Sequence, residues 1–282
     1  MKNISLIKCD LSRAARRRAA FTLVELLTVI AIIAILAALL LPVLSRAKVA
    51  AKKKQAQVEI TQIVGAIQQY DSIYGRYPVS ANAQLNGAND VTYGCQITNN
   101  GVAFPPVIPP PAPQSYFITN NAEVIAILMD LTNYPDTTLG TTSNTNHQKN
   151  PQQTIFLNPK MSGDAPRVFP YQPGVGPDLV YRDPWGNPYF ITMDLNYDEQ
   201  CKDALYSLEA VSQNPPLPAG YVQTGMNGLF NPNATPASQP EKDNYLYHGK
   251  VMVWSAGPDG LVDAATPANL GVNKDNILSW QQ

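Results

Sequence analysis

The sequence predicts an α+β protein: one long N-terminal helix, its first half long and apolar enough to span a membrane, followed by a head with strand-sized segments. Three observations carry this. Residues 26–44, LLTVIAIIAILAALLLPVL, hold no charge over nineteen positions, about the span of a bilayer core. Ile60, Ile63, Ile67, Tyr70 and Tyr74 then recur at spacings of three and four, one apolar stripe of a helix. Near the C-terminus, KVMVWSAG at 250–257 alternates Val251, Val253 and Ser255 as a strand does.

The elements follow in order. Residues 1–20 form a basic leader with six of the 20 Lys and Arg and one of the 21 acidic residues. The apolar run is flanked by Arg13, Arg16, Arg17 and Arg18 before it and by Arg46, Lys48, Lys52, Lys53 and Lys54 after it. Positive charge on both sides leaves the orientation undecided on loop charge alone. A secretory signal is the competing reading, with Ala-rich sequence near 37–50 as its cleavage region. The run is longer than a usual signal core, however, and Glu25 sits at its entrance. An ionisable group there is costly unless it has a partner. Gly75 and Pro78 end the helix, which from Phe21 to Tyr74 would measure about 80 Å at 1.5 Å per residue. Residues 21–54 are thus the transmembrane and juxtamembrane helix, and 55–282 the head.

Within the head, insertions near 79–120 and 195–240 are rich in Asn, Gly and Pro. PPVIPPPAP at 105–113 reads as a stiff polyproline II spacer. AEVIAILMDL at 122–131 is a short helix capped by Asn121, and TIFLNP at 154–159 and LVY at 179–181 are strand-sized. DPWGNPYFITMD at 183–194 is a turn leading into a strand, with Pro184 second, Gly186 fourth and Trp185 packing inward.

Charge and composition narrow the function. Beyond Lys54, nine basic residues face nineteen acidic ones, so the head repels phosphate backbones and no nucleic-acid partner is expected. His147 and His248 are the only histidines and neither has a metal-binding spacing. No nucleophile elbow, phosphate loop or dinucleotide fingerprint is present, so no catalytic residue is assigned and no enzyme is expected. DLNYDEQCKDAL at 194–205 begins like an EF-hand loop with Asp194, Asn196 and Asp198. It fails the full pattern, because Glu199 holds the glycine position and Leu205 the bidentate glutamate position. Of three cysteines, Cys9 lies in the leader. Cys95 and Cys201 are the remaining pair for an oxidising compartment, and the sequence supplies no distance between them, so a disulfide and two free thiols both stand.

RRRAAFTLVELLTVIAIIAILAALLLP resembles the N-terminus of type IV prepilins and type II secretion pseudopilins. The resemblance implies that a prepilin peptidase cuts the leader between Ala20 and Phe21 on the cytoplasmic side and that Phe21 becomes N-methylated. Ala20 departs from the usual glycine. Glu25 falls at the family's glutamate and Pro42 at its helix-kinking proline. Cleavage would create an amine at Phe21, which Glu25 of a neighbouring subunit could neutralise. Removing one partner of such a poorly solvated pair costs roughly 3–5 kcal/mol. GRYP at 75–78 resembles the segment that closes the long helix in major pseudopilins, and NPQQTIFLNP, DPWGNPYF, VMVWSAGPDG and DNILSW are similar in order to major-pseudopilin sequence. The fold this resemblance implies is α+β, one long helix packed on a small antiparallel β-sheet.

That resemblance implies a structural subunit of a pilus-like or pseudopilus filament. Its partners would be further copies of itself, the prepilin peptidase, the inner-membrane assembly machinery and the membrane. The head would lie in the periplasm or outside the cell, on a single inner-membrane span. The alternative is a minor or tip-located surface-binding protein that uses the two insertions.

The C-terminal loop is a calcium candidate. Asp259, Asp263 and Asp275 fall within seventeen residues, with Asn273 and Asn276 nearby, and calcium takes 6–8 oxygen ligands. The resemblance points to Asp259 and Asp275 as ligands with the Ala256 carbonyl. Asn276 stands where the family commonly has a second aspartate. An Asp- and Asn-rich turn that only caps backbone amides is the competing reading.

Overall fold

The computed structural model describes residues 22–85, 90–94, 96–97, 103–104, 117–118, 120–163, 171–214, 223–233 and 239–281. The chain forms two compact units, Met1–Lys48 and Val49–Gln282.

Helix α1 covers Leu23–Tyr74 and includes Pro42. Its start is fixed by Thr22 and its end by Gly75, which takes a left-handed φ of 61° and donates its amide to the Asp71 carbonyl at 2.7 Å. A glycine adopts that conformation without a Cβ penalty, which is why helices so often stop there. In the first unit every described residue is exposed, including Leu23, Ile30, Leu36 and Leu41. This is the one helix among the described residues long and apolar enough to cross a membrane.

The second unit is built on a five-stranded sheet. Its strands are β1 (Val91–Tyr93), β2 (Phe117–Ile118), β3 (Phe190–Met193), β4 (Val251–Ser255) and β5 (Ile277–Leu278). The order is β5-β4-β3-β1-β2, antiparallel throughout except for the β1–β2 pair, which is parallel. Residue alternation sorts the side chains onto two faces. Val91, Tyr93, Ile191, Met193, Val251 and Val253 join one apolar cluster with Ala56, Ile60, Ile63, Ile67 and Tyr70 of α1. The stripe predicted from spacing is the face that α1 buries. Helix α2 is the short Ala81–Leu85, and α3 (Ala122–Leu128) is almost wholly buried in the same cluster. Polar handles orient the packing: Tyr189 donates to Glu59, Tyr70 to the Lys149 carbonyl, and Tyr74 to Asn150 at 2.7 Å.

The opposite sheet face is also covered. Phe190, Met252 and Trp254 pack against Cys201, Leu205, Tyr206, Val211, Leu229 and Tyr245. The Phe190 and Trp254 rings stack at 3.8 Å, with Tyr206 edge-on to Trp254 at 5.3 Å. Burying each such ring contributes roughly 1.5–3 kcal/mol. Buried Asp203 anchors this layer, accepting from Thr192 at 2.7 Å, from the Trp254 indole at 3.0 Å and from two backbone amides. Much of the segment around 195–240, which reads in sequence as a loop-rich insertion, is therefore a second packing layer.

Local expectations meet mixed outcomes. The 183–186 turn forms, with the Gly186 amide on the Asp183 carbonyl at 2.9 Å, and Trp185 packs inward against the edge of the core while staying half-buried. Asn121 precedes α3 but does not cap it. Its side chain donates to the Tyr181 and Tyr189 carbonyls and accepts the Tyr181 amide, while Asn120 takes the Ala122 amide. Residues 154–159 form no strand, because the Phe156 and Leu157 amides both turn to the Leu128 carbonyl at the end of α3. The 179–181 segment begins a two-residue strand, Tyr181–Arg182, paired with Gly174–Val175.

Candidate functional site

The N-terminal site is built on the first turn of α1. Ala20 and Phe21 lie outside the described residues. Thr22 stands just before the helix and Glu25 at its third position, and the two side chains are reciprocally bonded. The Thr22 amide and hydroxyl both donate to Glu25 Oε2 at 2.8 Å, and the Glu25 amide donates back to Thr22 Oγ1 at 3.2 Å. This is a capping box, which satisfies helix-end donors that have no intrahelical partner. It also gives the carboxylate at the start of the apolar run local partners within its own chain. The T-x-x-E spacing that produces it is visible at 22–25, although sequence reading singled out only the glutamate.

The C-terminal loop between β4 and β5 holds the second site. Gly257, at φ 70°, lies so close to the Asp275 carbonyl that an added methyl group would collide with it, so the two ends of the loop are held together. Asp259 and Asp275 lie close enough to interact. Burial first, and the Asp259 charge second, push the Asp275 carboxyl up, with Lys53 acting against them. Asp275 Oδ1 is buried without a hydrogen-bond partner, and so is Asn276 Oδ1, whose amide nitrogen donates to the Tyr206 hydroxyl at 2.9 Å. Ala256, fully buried, is the residue just before Gly257 at the end of β4. One orphaned carboxylate oxygen of Asp275 and one orphaned amide oxygen of Asn276, with the Asp259 charge near, suit a hard, oxygen-seeking cation.

Asp263 behaves differently. It accepts the Ala265 amide and the Thr266 hydroxyl, which hold its carboxyl below the usual range, and Asn273 clamps its backbone. Its carboxylate is committed to its own turn. Among the described residues no group of three or more His, Cys, Asp or Glu side chains is placed to hold a metal. A cation in the C-terminal loop therefore has two carboxylates at most and must draw on amide and backbone oxygens.

Cys201 is a free thiol with no solvent exposure, and burial pushes its ionisation well up, while Cys95 lies outside the described residues. His147 bonds Asp130 at 2.8 Å in a surface loop.

Comparison with known proteins bears on the N-terminal segment. Residues 15–41 match the prokaryotic N-terminal methylation motif. No curated protein and no solved structure matched the chain. With that motif on a long apolar helix ahead of a small sheet, the chain has a pilin-like architecture and the methylation motif that type IV pilins and pseudopilins carry.

Proposed function

We propose that this protein is a structural subunit of a type IV pilus-like or type II secretion pseudopilus filament. The observation that carries the reading is the methylation motif laid over a helix whose apolar first half is exposed at every described residue. Such a surface belongs in lipid or against identical helices. The prepilin peptidase cuts between Ala20 and Phe21, and Phe21 receives the methyl group. The span anchors the protein in the inner membrane with the head outside the cytoplasm. The inner-membrane assembly machinery then moves the helix from lipid into the filament.

Glu25 serves two states in turn. In the membrane-held subunit its carboxylate is satisfied by Thr22. In the filament it neutralises the Phe21 amine of a neighbour, which favours one axial stagger because a mismatched pair leaves charge buried. The C-terminal loop takes calcium through Asp259 and Asp275, with the Asn276 amide oxygen and the Ala256 carbonyl as neutral ligands. The ion would tie β4 to β5 and order the loop.

N-terminal sequencing and intact-mass analysis of membrane-extracted protein test the processing step. The expected mature chain begins at Phe21 with one added methyl group. A chain beginning beyond Leu41 identifies an ordinary secretory signal and overturns the filament reading.

A further inference from the structure

Three separate segments of the head converge around Lys52 of α1. The Lys52 ammonium donates to the Pro184 carbonyl at 2.8 Å and lies 5.8 Å over the Trp185 ring. The same turn holds the C-terminal loop alongside. The Asn187 side chain donates to the Gly257 carbonyl at 3.3 Å and sits so close to Gly260 that a Cβ there would strike it. The next residue, Leu261, is 51% exposed, and Trp185 stays half-buried. Lysine, tryptophan and leucine thus share one end of the head.

The charge at this end is opposite to that of the rest. Residues 46–54, RAKVAAKKK, hold five basic residues and no acidic one, while nine basic residues face nineteen acidic ones beyond Lys54. Asp259 and Asp275 share this end but are outnumbered, and the Lys53 charge already acts on Asp275. At 3.6 residues per turn, Arg46, Lys48, Lys52, Lys53 and Lys54 fall on all sides of α1, with no bare arc wider than about 120°. A protein partner touches one side of a helix, whereas a lipid headgroup layer surrounds it. Lys52 follows Leu44, the last residue of the uncharged run, by eight residues, about 12 Å of helix. The headgroup layer adds roughly 5–7 Å to each side of the hydrocarbon. Helical side chains lean toward the N-terminus, here toward the apolar run, which brings the ammonium groups back to that layer.

We propose that this end of the head docks on a bilayer of anionic phospholipid. Lys52, Lys53 and Lys54 take lipid phosphates, and Trp185 and Leu261 enter the interfacial layer. Tryptophan is enriched at that depth, and lysine stems bury there while their charged ends reach the phosphates. An anionic surface repels an acidic head, so a single basic end decides which way the head faces. Subunits held in the membrane would then share one orientation before they enter a filament.

Docking of this kind presupposes that the apolar run spans the bilayer, as proposed above, so insertion is measured first. Full-length protein is reconstituted into vesicles of phosphatidylcholine, with or without a quarter phosphatidylglycerol, and washed with carbonate. Protein that washes off has no span, which overturns the anchoring together with the docking; the later outcomes bear on docking alone. Tryptophan fluorescence is then read with a lipid carrying a nitroxide on its headgroup. Quenching should be stronger in the phosphatidylglycerol vesicles, and Trp185→Phe should abolish that difference. Lys52→Gln/Lys53→Gln/Lys54→Gln should abolish it too, as should about 1 M sodium chloride, where the screening length is ~3 Å. Matching thermal melts would show that the variant heads stay folded. Inserted wild type quenched equally in both lipids, or a triple variant as sensitive to phosphatidylglycerol as wild type, overturns the proposal. So does a Trp185 that escapes the lipid quencher and is shielded only at high protein density, which would assign this end to a second copy of the chain.

Discussion

Asp183 offers a sharp test of how the turn before β3 is held. Its carboxylate has no solvent exposure. Oδ1 accepts the Trp185 and Asn187 amides, each at 2.9 Å, and Oδ2 accepts the Ser255 hydroxyl of β4 at 2.6 Å. The turn it shapes presents the Pro184 carbonyl to Lys52 of α1 at 2.8 Å, so one side chain ties the helix, the turn and the sheet together. Burial nevertheless outweighs these bonds and raises the carboxyl from the ordinary 3.8 to about 6. The folded state therefore holds its proton more tightly than the unfolded chain. The stability this contributes is complete below pH 3.8 and is lost as pH rises through about 6. At about 1.4 kcal/mol per pH step, the loss between pH 4.5 and 7.5 is about 2 kcal/mol. Asp183→Asn fixes a neutral group that still accepts both amides, so it should gain about 2 kcal/mol relative to wild type across that interval. Asp183→Ala strands two buried amides at roughly 1–3 kcal/mol each, and should be destabilised at every pH. Urea unfolding of the full-length protein in detergent, followed by near-UV circular dichroism at pH 4.5, 5.5, 6.5 and 7.5, measures this. Wild-type and Asp183→Asn curves that run parallel would refute the reasoning, because the buried carboxylate would then carry no titration penalty.

Two further outcomes follow from the sites. Glu25→Ala should leave membrane insertion intact and reduce sheared filament yield at least tenfold, since it removes the amine partner; normal yield would show that the carboxylate is not the assembly contact. For the C-terminal loop, millimolar calcium should raise the thermal midpoint of the full-length protein relative to EGTA, and Asp259→Ala with Asp275→Ala should remove the part of the shift due to that loop; a shift identical in wild type and double variant would exclude those ligands.

The sequence by itself determined the long helix, because its signals are local. A nineteen-residue uncharged run, a three-and-four spacing and a glycine stop are each read within a few residues of one another. The capping box was equally legible at 22–25, and the β4 alternation and the 183–186 turn were legible for the same reason. Asn121 shows where local reading ends. Its position before α3 is a cap position, but the carbonyls of Tyr181 and Tyr189, sixty residues away and more, compete for its amide and win. The Leu128 carbonyl likewise draws the Phe156 and Leu157 amides out of a strand.

Only the tertiary structure decided that the segment around 195–240 covers the far face of the sheet. Its buried residues are spread over irregular backbone with no period to detect, and they are recruited by Phe190 and Trp254 from elsewhere in the chain. It also decided that Asp259 lies near enough for its charge to act on Asp275, while Asp263 turns to Thr266. Proximity in sequence placed all three together. Which carboxylates share a site depends on where the backbone amides and hydroxyls of the folded loop lie, and a linear spacing does not contain that.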